Sequence, residues 1–223
     1  MAVQTGEGTT DIIYGGLSIP GGPRVYGGYL ARPDGRGEWP TVMVFGPRER
    51  ATSSVKYLCR MLARNGIAAL APDVDHEGLT YLQVSTAIAG FITNPAGDWS
   101  NGEYGYGVLA FEGGIDASAA LAAADGRVIA HAAVGSNLGD DVVSNLEEAD
   151  MPGLFIGSRG DEEVDIDGAI EQRERIPQTT FVIYPDGATG FWSDDAEGFV
   201  QERHDDTLER LIEFFGSQLP PRI

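Results

Sequence analysis

Glu112 is the first residue whose position suggests chemistry, because it follows an apolar run and precedes two glycines in the segment AFEGG at 110–114. This pattern predicts a strand that turns directly into a helix and displays the side chain of Glu112 at the turn. Small neighbours are needed because the backbone turns tightly and the helix packs close behind. A helix N-terminus favours negative charge, and its N–H groups can bind an oxyanion.

Two later loops carry further candidates. Asp161 follows the apolar run at 153–156 and is a candidate for the carboxylate that orients a catalytic group. Thr189 lies in the loop YPDGATGFW at 184–192, where Phe191 and Trp192 would add aromatic walls to a pocket. With Phe111, these aromatic residues would surround Glu112 with partly apolar material. Burial of this kind raises the pKa of a carboxyl group and suits it to acid–base work near neutral pH.

Charged and imidazole side chains in other loops could complete the site. Arg48 and Arg50, in the loop at 46–51, could bind a carboxylate or an enolate-like oxygen. His76, in the loop at 73–78, could reach the same cleft from a neighbouring strand. By contrast, His131 is expected in mid-strand as a satisfied core residue, and His204 is expected to be solvated on the C-terminal helix.

The elements that position these loops alternate between strands and helices. Apolar runs predict strands at 41–45, 67–71, 107–111, 128–134, 153–156 and 179–184. Before them, short apolar runs broken by glycines predict an antiparallel β-hairpin or meander within residues 10–33. Helical spacing predicts helices from Thr52 to Gly66 and at 114–124, 166–175 and 196–219. This order indicates one α/β domain over residues 1–223, with a doubly wound, mostly parallel sheet flanked by helices. Ligands bind at the carboxyl ends of the strands in such sheets.

Composition narrows the class of partner. The chain has 223 residues, with 34 acidic against 15 basic residues and a net charge of −19. Such a charge disfavours nucleic acid and anionic membrane, so a small-molecule substrate is expected. No apolar run approaches the roughly 20 residues of a membrane span, and residues 1–10 do not read as a secretory signal. A cytoplasmic protein without a metal or cofactor is expected. The single cysteine, Cys59, is predicted to be a buried thiol. The sequence leaves the oligomeric state open.

Four motifs resemble the dienelactone hydrolase family, a branch of the α/β hydrolases. The run VMVFGPRERATSSVKYLCRMLARNGIAALAPDV at 42–74 resembles that family's first strand, loop, helix and GYxALAPDL strand. GVLAFEGG at 107–114 resembles its GVVGFCxGG, YPDGATGF at 184–191 its YPGAxHGF, and FFGSQL at 214–219 its final helix. The motifs occur in family order and cover nearly the whole chain from about residue 10. The resemblance therefore implies the α/β-hydrolase fold with N-terminal antiparallel strands.

The same resemblance implies a substituted catalytic triad. The family's cysteine nucleophile matches Glu112, its histidine matches Thr189, and its acid matches Asp161. Its first-loop glutamate matches Pro47. Without an imidazole base the usual acyl-enzyme step is not available, and loss of a triad member costs on the order of 10⁴ in rate. Ester and lactone hydrolysis is therefore not expected to carry over.

Three functions remain open from the sequence. One is a repurposed acid–base enzyme that uses Glu112 in a cyclisation, isomerisation or dehydration of a small carbonyl compound, for example in natural-product biosynthesis. The second is an inactive binding protein whose ligand site is lined by Trp99, Tyr104, Tyr106, Phe191 and Trp192, with the loop at 94–104 as a lid. The third is a hydrolase with Glu112 as nucleophile. Alternatively, Glu112 has a purely structural role, in which its carboxylate caps a helix and pairs with Arg48 or Arg50.

Overall fold

A computed structural model describes residues 8–21, 24–47, 51–74, 78–93 and 99–223. The strands are β1 (Ile12–Gly21), β2 (Arg24–Pro33), β3 (Thr41–Phe45), β4 (Ala68–Pro72), β5 (Tyr106–Phe111), β6 (Val128–Val134), β7 (Gly153–Ser158) and β8 (Thr179–Tyr184). The α-helices are α1 (Ser53–Arg64), α2 (Tyr81–Thr93), α3 (Ile115–Ala124), α4 (Asp140–Ala149), α5 (Ile166–Glu171) and α6 (Gln201–Gln218). Short 3₁₀ turns occur at Gly102–Tyr104, Glu112–Gly114 and Gln172–Glu174.

The strands form one sheet in the order β1-β2-β4-β3-β5-β6-β7-β8. β1 pairs antiparallel with β2, and β2 pairs antiparallel with β4, while β3 to β8 run parallel. The predicted hairpin and mostly parallel sheet are thus confirmed. The central strands consist of buried residues on both faces, as continuous apolar runs require.

Helices cover the sheet on both faces. Helices α1 and α6 pack on one face, where Leu58, Leu62 and Phe215 meet Val44, Leu109 and Phe111. Helices α2 to α5 pack on the other face. In one cluster there, Ile88 and Leu121 pack against Met43 and Val108. In a second cluster, Val143 and Ile166 pack against Phe155. Two apolar layers therefore fix the sheet and leave its carboxyl edge to the connecting loops.

Most predicted elements are present within a residue or two of their expected ends. The cap of α1 is confirmed, since the Val55 N–H donates to Thr52 Oγ1 at 3.3 Å. Two helices, α2 and α4, were not predicted. The predicted start of the last helix is wrong, because residues 193–200 fold into successive turns and α6 begins only at Gln201.

The structure bears on two expectations from the sequence, the burial of Cys59 and the lack of a membrane-spanning segment. Cys59 is buried in α1, and burial raises the pKa of its thiol to about 12, so it is an unreactive core residue. Within the described ranges, no helix is both long and apolar enough to cross a membrane.

Candidate active site

Glu112 occupies a strained turn at the carboxyl end of β5. Its φ is 50°, the left-handed region that residues other than glycine seldom adopt. The turn continues as a 3₁₀ segment into α3. Gly114 is required there, because a Cβ at that position would lie 2.7 Å from the carbonyl oxygens of Phe45 and Gly46. The predicted strand–turn–helix is confirmed, and it presents Glu112 at the edge where α/β sheets bind ligands.

Asp161 and Thr189 meet beside this turn. The Thr189 hydroxyl donates to Asp161 Oδ1 at 2.6 Å, and the Glu163 N–H donates to the same oxygen at 3.1 Å. Asp161 is 4 % exposed, while Thr189 is half-buried. The two residues arrive from the loops after β7 and β8. The sequence prediction that these positions converge is therefore confirmed, with a hydroxyl as the partner of the buried carboxylate.

The loops that carry Asp161 and Thr189 are fixed to each other. The Ser158 hydroxyl donates to the Gly187 carbonyl at 2.6 Å, and the Gly160 N–H donates to Ser158 Oγ at 3.2 Å. The backbones approach so closely that a Cβ on Gly160 would lie 3.0 Å from Gly187 O. The Asp161–Thr189 contact is thus imposed by the backbone as well as by its own hydrogen bond.

The loop at 185–200 is also tied to the N-terminus of α1. Ser54 Oγ lies 2.7 Å from Asp194 Oδ1 and 2.6 Å from Asp195 Oδ1, and the Ser193 hydroxyl donates to Asp195 Oδ1 at 2.6 Å. Hydrogen bonds from Ser193 and Ser54 lower the pKa of Asp195. This attachment holds Trp192, which precedes Ser193, against the sheet.

A cavity of about 240 Å³ opens between these loops. Its walls are formed by Glu112, Gly113, Ile115, Asp116, Gly135, Asn137, Asp161, Glu163, Val164 and Thr189. Among these lining residues there are four carboxylates and neither a histidine nor a basic side chain. Of the wall residues, Gly135, Asn137, Asp116 and Glu163 were missed by sequence reasoning, although the loop that begins at Gly135 follows a parallel strand and its position was a usable signal.

The aromatic residues of this region have unequal roles. Phe111 and Trp192 stack with ring centroids 4.1 Å apart, and Phe191 packs edge-on against Tyr184. Phe111 and Phe191 are fully buried. Both side chains complete the core beneath the site and neither lines the cavity, so their contact with a substrate stays a prediction. Trp192 is 1 % exposed, but its indole nitrogen faces the cavity wall at Gly135.

Gly135 lies beside the side chains of three candidate site residues. A Cβ built on Gly135 would lie 3.6 Å from Trp192 Nε1, 3.8 Å from Asp161 Oδ2 and 3.8 Å from Glu112 Cγ. These are ordinary contact distances, so a methyl group attached to residue 135 would touch all three side chains without a steric clash. The φ of Gly135 is +57°, which favours glycine at this position.

The remaining aromatic candidates lie at the opposite edge of the sheet. Tyr106 begins β5, and its hydroxyl donates to Asp125 Oδ2 at 3.1 Å. Trp99 is buried beside the start of β3, where its carbonyl accepts from the Trp39 N–H, and Tyr104 is exposed. The predicted ligand site containing Trp99, Tyr104 and Tyr106 is therefore wrong. The described part of the suggested lid, residues 99–104, also packs at the amino edge.

The histidines give mixed results. His131 is buried, and its Nε2 lies 3.0 Å from the Ser118 hydroxyl, so the expected core role is confirmed. His204 is buried, not solvated, because Tyr57 and Phe199 pack against its ring and its Nδ1 lies 2.6 Å from the Trp192 carbonyl. His76, Arg48 and Arg50 lie outside the described residues. Across the described ranges, no cluster of three or more His, Cys, Asp or Glu residues could hold a metal ion.

The Thr189–Asp161 hydrogen bond gives a first prediction. Thr189→Val should lower the free energy of unfolding by about 2 kcal/mol, because a buried carboxylate loses a hydroxyl donor. Thr189→Ser, which keeps the hydroxyl, should lose much less. Urea denaturation of the three proteins measures the difference. Equal stability of wild type and Thr189→Val would show that the contact contributes nothing.

The eight-stranded sheet, its flanking helices and the three convergent loops form the fold seen in solved dienelactone hydrolases. A candidate dienelactone hydrolase from Klebsiella pneumoniae superposes with a TM-score of 0.81 at 20 % identity, covering 92 % of this chain and 99 % of the other. A dienelactone hydrolase from Anabaena variabilis gives 0.75 at 17 % identity, with 94 % and 99 % covered.

A third structure widens the range of activities associated with this fold. A dienelactone hydrolase-like promiscuous phosphotriesterase from metagenomic libraries gives a TM-score of 0.73 at 15 % identity, with 94 % and 99 % covered. No protein-family model matches the sequence, and no similar curated protein is found. At these identities the likeness establishes the fold, and function has to be argued from the site.

Proposed function

We propose that this protein is an acid–base enzyme that transfers a proton on a small carbonyl compound, with Glu112 as the proton-transferring group. The observation that carries this proposal is the conformation of Glu112. A non-glycine residue is held at a φ of 50° on the wall of a cavity beside the Asp161–Thr189 pair.

Such a conformation has an energetic cost. A non-glycine residue in the left-handed region costs about 1–3 kcal/mol, and residues of this kind cluster at active sites. A carboxylate that only capped α3 could do so from an ordinary N-cap conformation, in which φ is negative. The strain therefore favours a role for the side chain in the cavity, which is the role proposed here.

The chemistry follows from the groups around Glu112. A carboxylate can remove a proton from the carbon next to a carbonyl and return it to another position. The electron pair left behind moves onto the carbonyl oxygen, and N–H groups at a helix N-terminus stabilise such an anion. Isomerisation, dehydration and cyclisation of carbonyl compounds all contain this step.

Hydrolysis through Glu112 as a nucleophile is less well supported. The described lining of the cavity contains no histidine, and the hydroxyl of Thr189 already donates its proton to Asp161. A hydroxyl in that state cannot act as the base that activates water for release of a covalent ester.

A non-catalytic binding protein is the second candidate. Two buried polar atoms beside Gly135, Trp192 Nε1 and Asp161 Oδ2, have no hydrogen-bond partner in the described part of the chain. A bound ligand would satisfy them whether or not it reacts.

Proton transfer can be detected before the natural substrate is known. In D₂O, a panel of small ketones, aldehydes and lactones should acquire deuterium next to the carbonyl faster with the protein than without it. ¹H NMR of the panel follows the exchange, and p-nitrophenyl acetate reports hydrolysis in parallel. Ester hydrolysis without exchange would refute the proposal, and saturable binding without exchange would favour the binding protein.

A further inference from the structure

Two buried polar atoms of opposite kind face the same small space. Trp192 Nε1 carries a hydrogen-bond donor, and Asp161 Oδ2 is an acceptor. Neither has a partner in the part of the chain that the structure describes. Both side chains are more than nine-tenths buried, with exposures of 1 % and 4 %. Buried polar groups are nearly always hydrogen-bonded, so this pair indicates a missing partner.

The space between the two atoms is defined by Gly135. The position of a Cβ on Gly135 is 3.6 Å from Trp192 Nε1 and 3.8 Å from Asp161 Oδ2, without a steric clash. Both polar atoms therefore lie beside Gly135, and an oxygen atom bound between them could accept from the indole N–H and donate to the carboxylate. A hydroxyl group is the simplest group that does both, whereas a carbonyl or an ether lacks the donor.

The charge of the cavity selects among hydroxyl compounds. Glu112, Asp116, Asp161 and Glu163 contribute carboxylates to its walls, and its described lining has no basic side chain. A substrate carrying a carboxylate or a phosphate would be repelled there. A neutral hydroxyl compound fits the described walls.

We propose that Trp192 and Asp161 form a binding site for a substrate hydroxyl and that the substrate is a neutral α-hydroxy carbonyl compound. The site follows from the two buried atoms alone, whereas the choice of an α-hydroxy carbonyl rests on the proposed function. Glu112 Cγ is 3.8 Å from the same point. A hydroxyl held there therefore places the carbon that bears it within reach of the Glu112 carboxylate.

The resulting step is balanced without a further reactant. The Glu112 carboxylate takes the proton from the carbon that bears the hydroxyl. The electron pair of that C–H bond becomes the C=C bond of an enediolate, and the carbonyl π pair moves onto oxygen. Return of the proton from Glu112 to the same carbon gives the starting compound. Return to the other carbon, together with transfer of the hydroxyl proton to the former carbonyl oxygen, gives the isomeric α-hydroxy carbonyl compound.

The test uses the indole N–H signals of the whole chain. There are three tryptophans, so ¹⁵N–¹H spectra should show three indole signals, and Trp192→Phe identifies the one from Trp192. Hydroxyacetone should shift that signal saturably, and acetone, which lacks the hydroxyl, should bind at least about tenfold more weakly. Loss of one hydrogen bond to the hydroxyl corresponds to a factor of about ten in affinity.

Trp39 provides a matched control. Its Nε1 is also buried without a partner in the described residues, but it lies at the amino edge of the sheet. Measured on the ligand signals by saturation-transfer NMR, because the variant lacks the indole reporter, Trp192→Phe should weaken hydroxyacetone binding about tenfold. Trp39→Phe should leave it unchanged. Gly135→Ala should abolish hydroxyacetone binding, because its methyl group would contact Trp192 Nε1 and Asp161 Oδ2 and block a hydroxyl from reaching them. Circular dichroism verifies that this variant is folded.

The outcomes separate this inference from the proposed function. Hydroxyacetone binding at Trp192 without deuterium exchange would support the hydroxyl site and refute acid–base catalysis. Exchange without a shift of the Trp192 signal would do the reverse. No shift, or equal shifts with acetone and hydroxyacetone, would overturn the hydroxyl site, because a water molecule would then be a sufficient partner for the two atoms.

Discussion

Replacing Glu112 by glutamine should reduce the catalysed deuterium exchange by about 10²–10⁴-fold, the range typical of a lost acid–base group. Glutamine has nearly the same size and shape, so the turn at the end of β5 should persist. Its amide, however, cannot take up and return a proton near neutral pH. The measurement is the initial exchange rate of the most responsive carbonyl compound, determined for wild type and Glu112→Gln at equal protein concentration.

Asp116→Asn is the matched control for this prediction. Asp116 lines the same cavity from the first turn of α3, is exposed, and loses the same charge on substitution. It should retain activity within a few fold if catalysis depends on a proton at Glu112 rather than on the total negative charge. Wild-type exchange rates in Glu112→Gln would exclude Glu112 as the acid–base group. Equal losses in both variants would point to electrostatics instead.

The second large effect is a loss of stability in mild acid that originates at His131. Burial lowers the pKa of His131 from 6.5 to about 4. As the pH falls below 6.5, the unfolded chain binds a proton at this residue that the folded chain does not. Stability from neutral His131 is therefore complete above pH 6.5 and decreases toward pH 4. The total loss is on the order of 3 kcal/mol, about 1.4 kcal/mol per pH unit.

His131→Gln isolates this contribution, because it removes the titrating ring but keeps a nitrogen donor toward Ser118. The difference in unfolding free energy between wild type and His131→Gln, from urea denaturation at several pH values, should shift in favour of the variant between pH 6.5 and 4. Titration of the His131 ring protons by NMR gives the folded pKa directly. A pH-independent difference, or a ring that titrates near 6.5, would contradict the prediction.

The sheet and the location of the site could be predicted because both depend on local sequence. Apolar runs such as Thr41–Phe45 and Val128–Val134 read as buried strands regardless of their neighbours. Glu112 was identifiable because a strand that turns into a helix requires small residues at fixed positions. Once the strands were known to be parallel, the convergence of Asp161 with Thr189 followed from their places after β7 and β8.

The two helices missing from the sequence prediction had usable signals. Helix α2 begins with a capping box, in which the Thr80 N–H donates to Gln83 Oε1 at 2.9 Å and the Gln83 N–H donates to Thr80 Oγ1 at 3.2 Å. Helix α4 starts with two aspartates, which are favoured in a first turn. Helix α2 is apolar along most of its length, so its polar and apolar faces contrast little at helical spacing.

Other errors concerned contacts between distant segments, which leave no local pattern. His204 is buried because Tyr57 in α1 and Phe199 ahead of α6 enclose it. The environment of Trp192 depends on the stack with Phe111 and on the backbone of Gly135. The placement of Tyr106, by contrast, was avoidable, since the first residue of a parallel strand lies at the edge away from the ligand.

The path of the loop from 185 to 200 is set mainly by its backbone, which affects how proteins of this fold can change activity. Its shape is set by backbone bonds, such as Phe191 N–H to Ala188 O and Val200 N–H to Phe191 O, and by glycines at 187 and 190 with positive φ. None of these backbone bonds involves the side chain at 189, which faces Asp161 in the neighbouring loop. A single codon change there can therefore exchange the reactive group while the loop keeps its length and path. Mutational libraries aimed at new activities can therefore begin with positions 112 and 189.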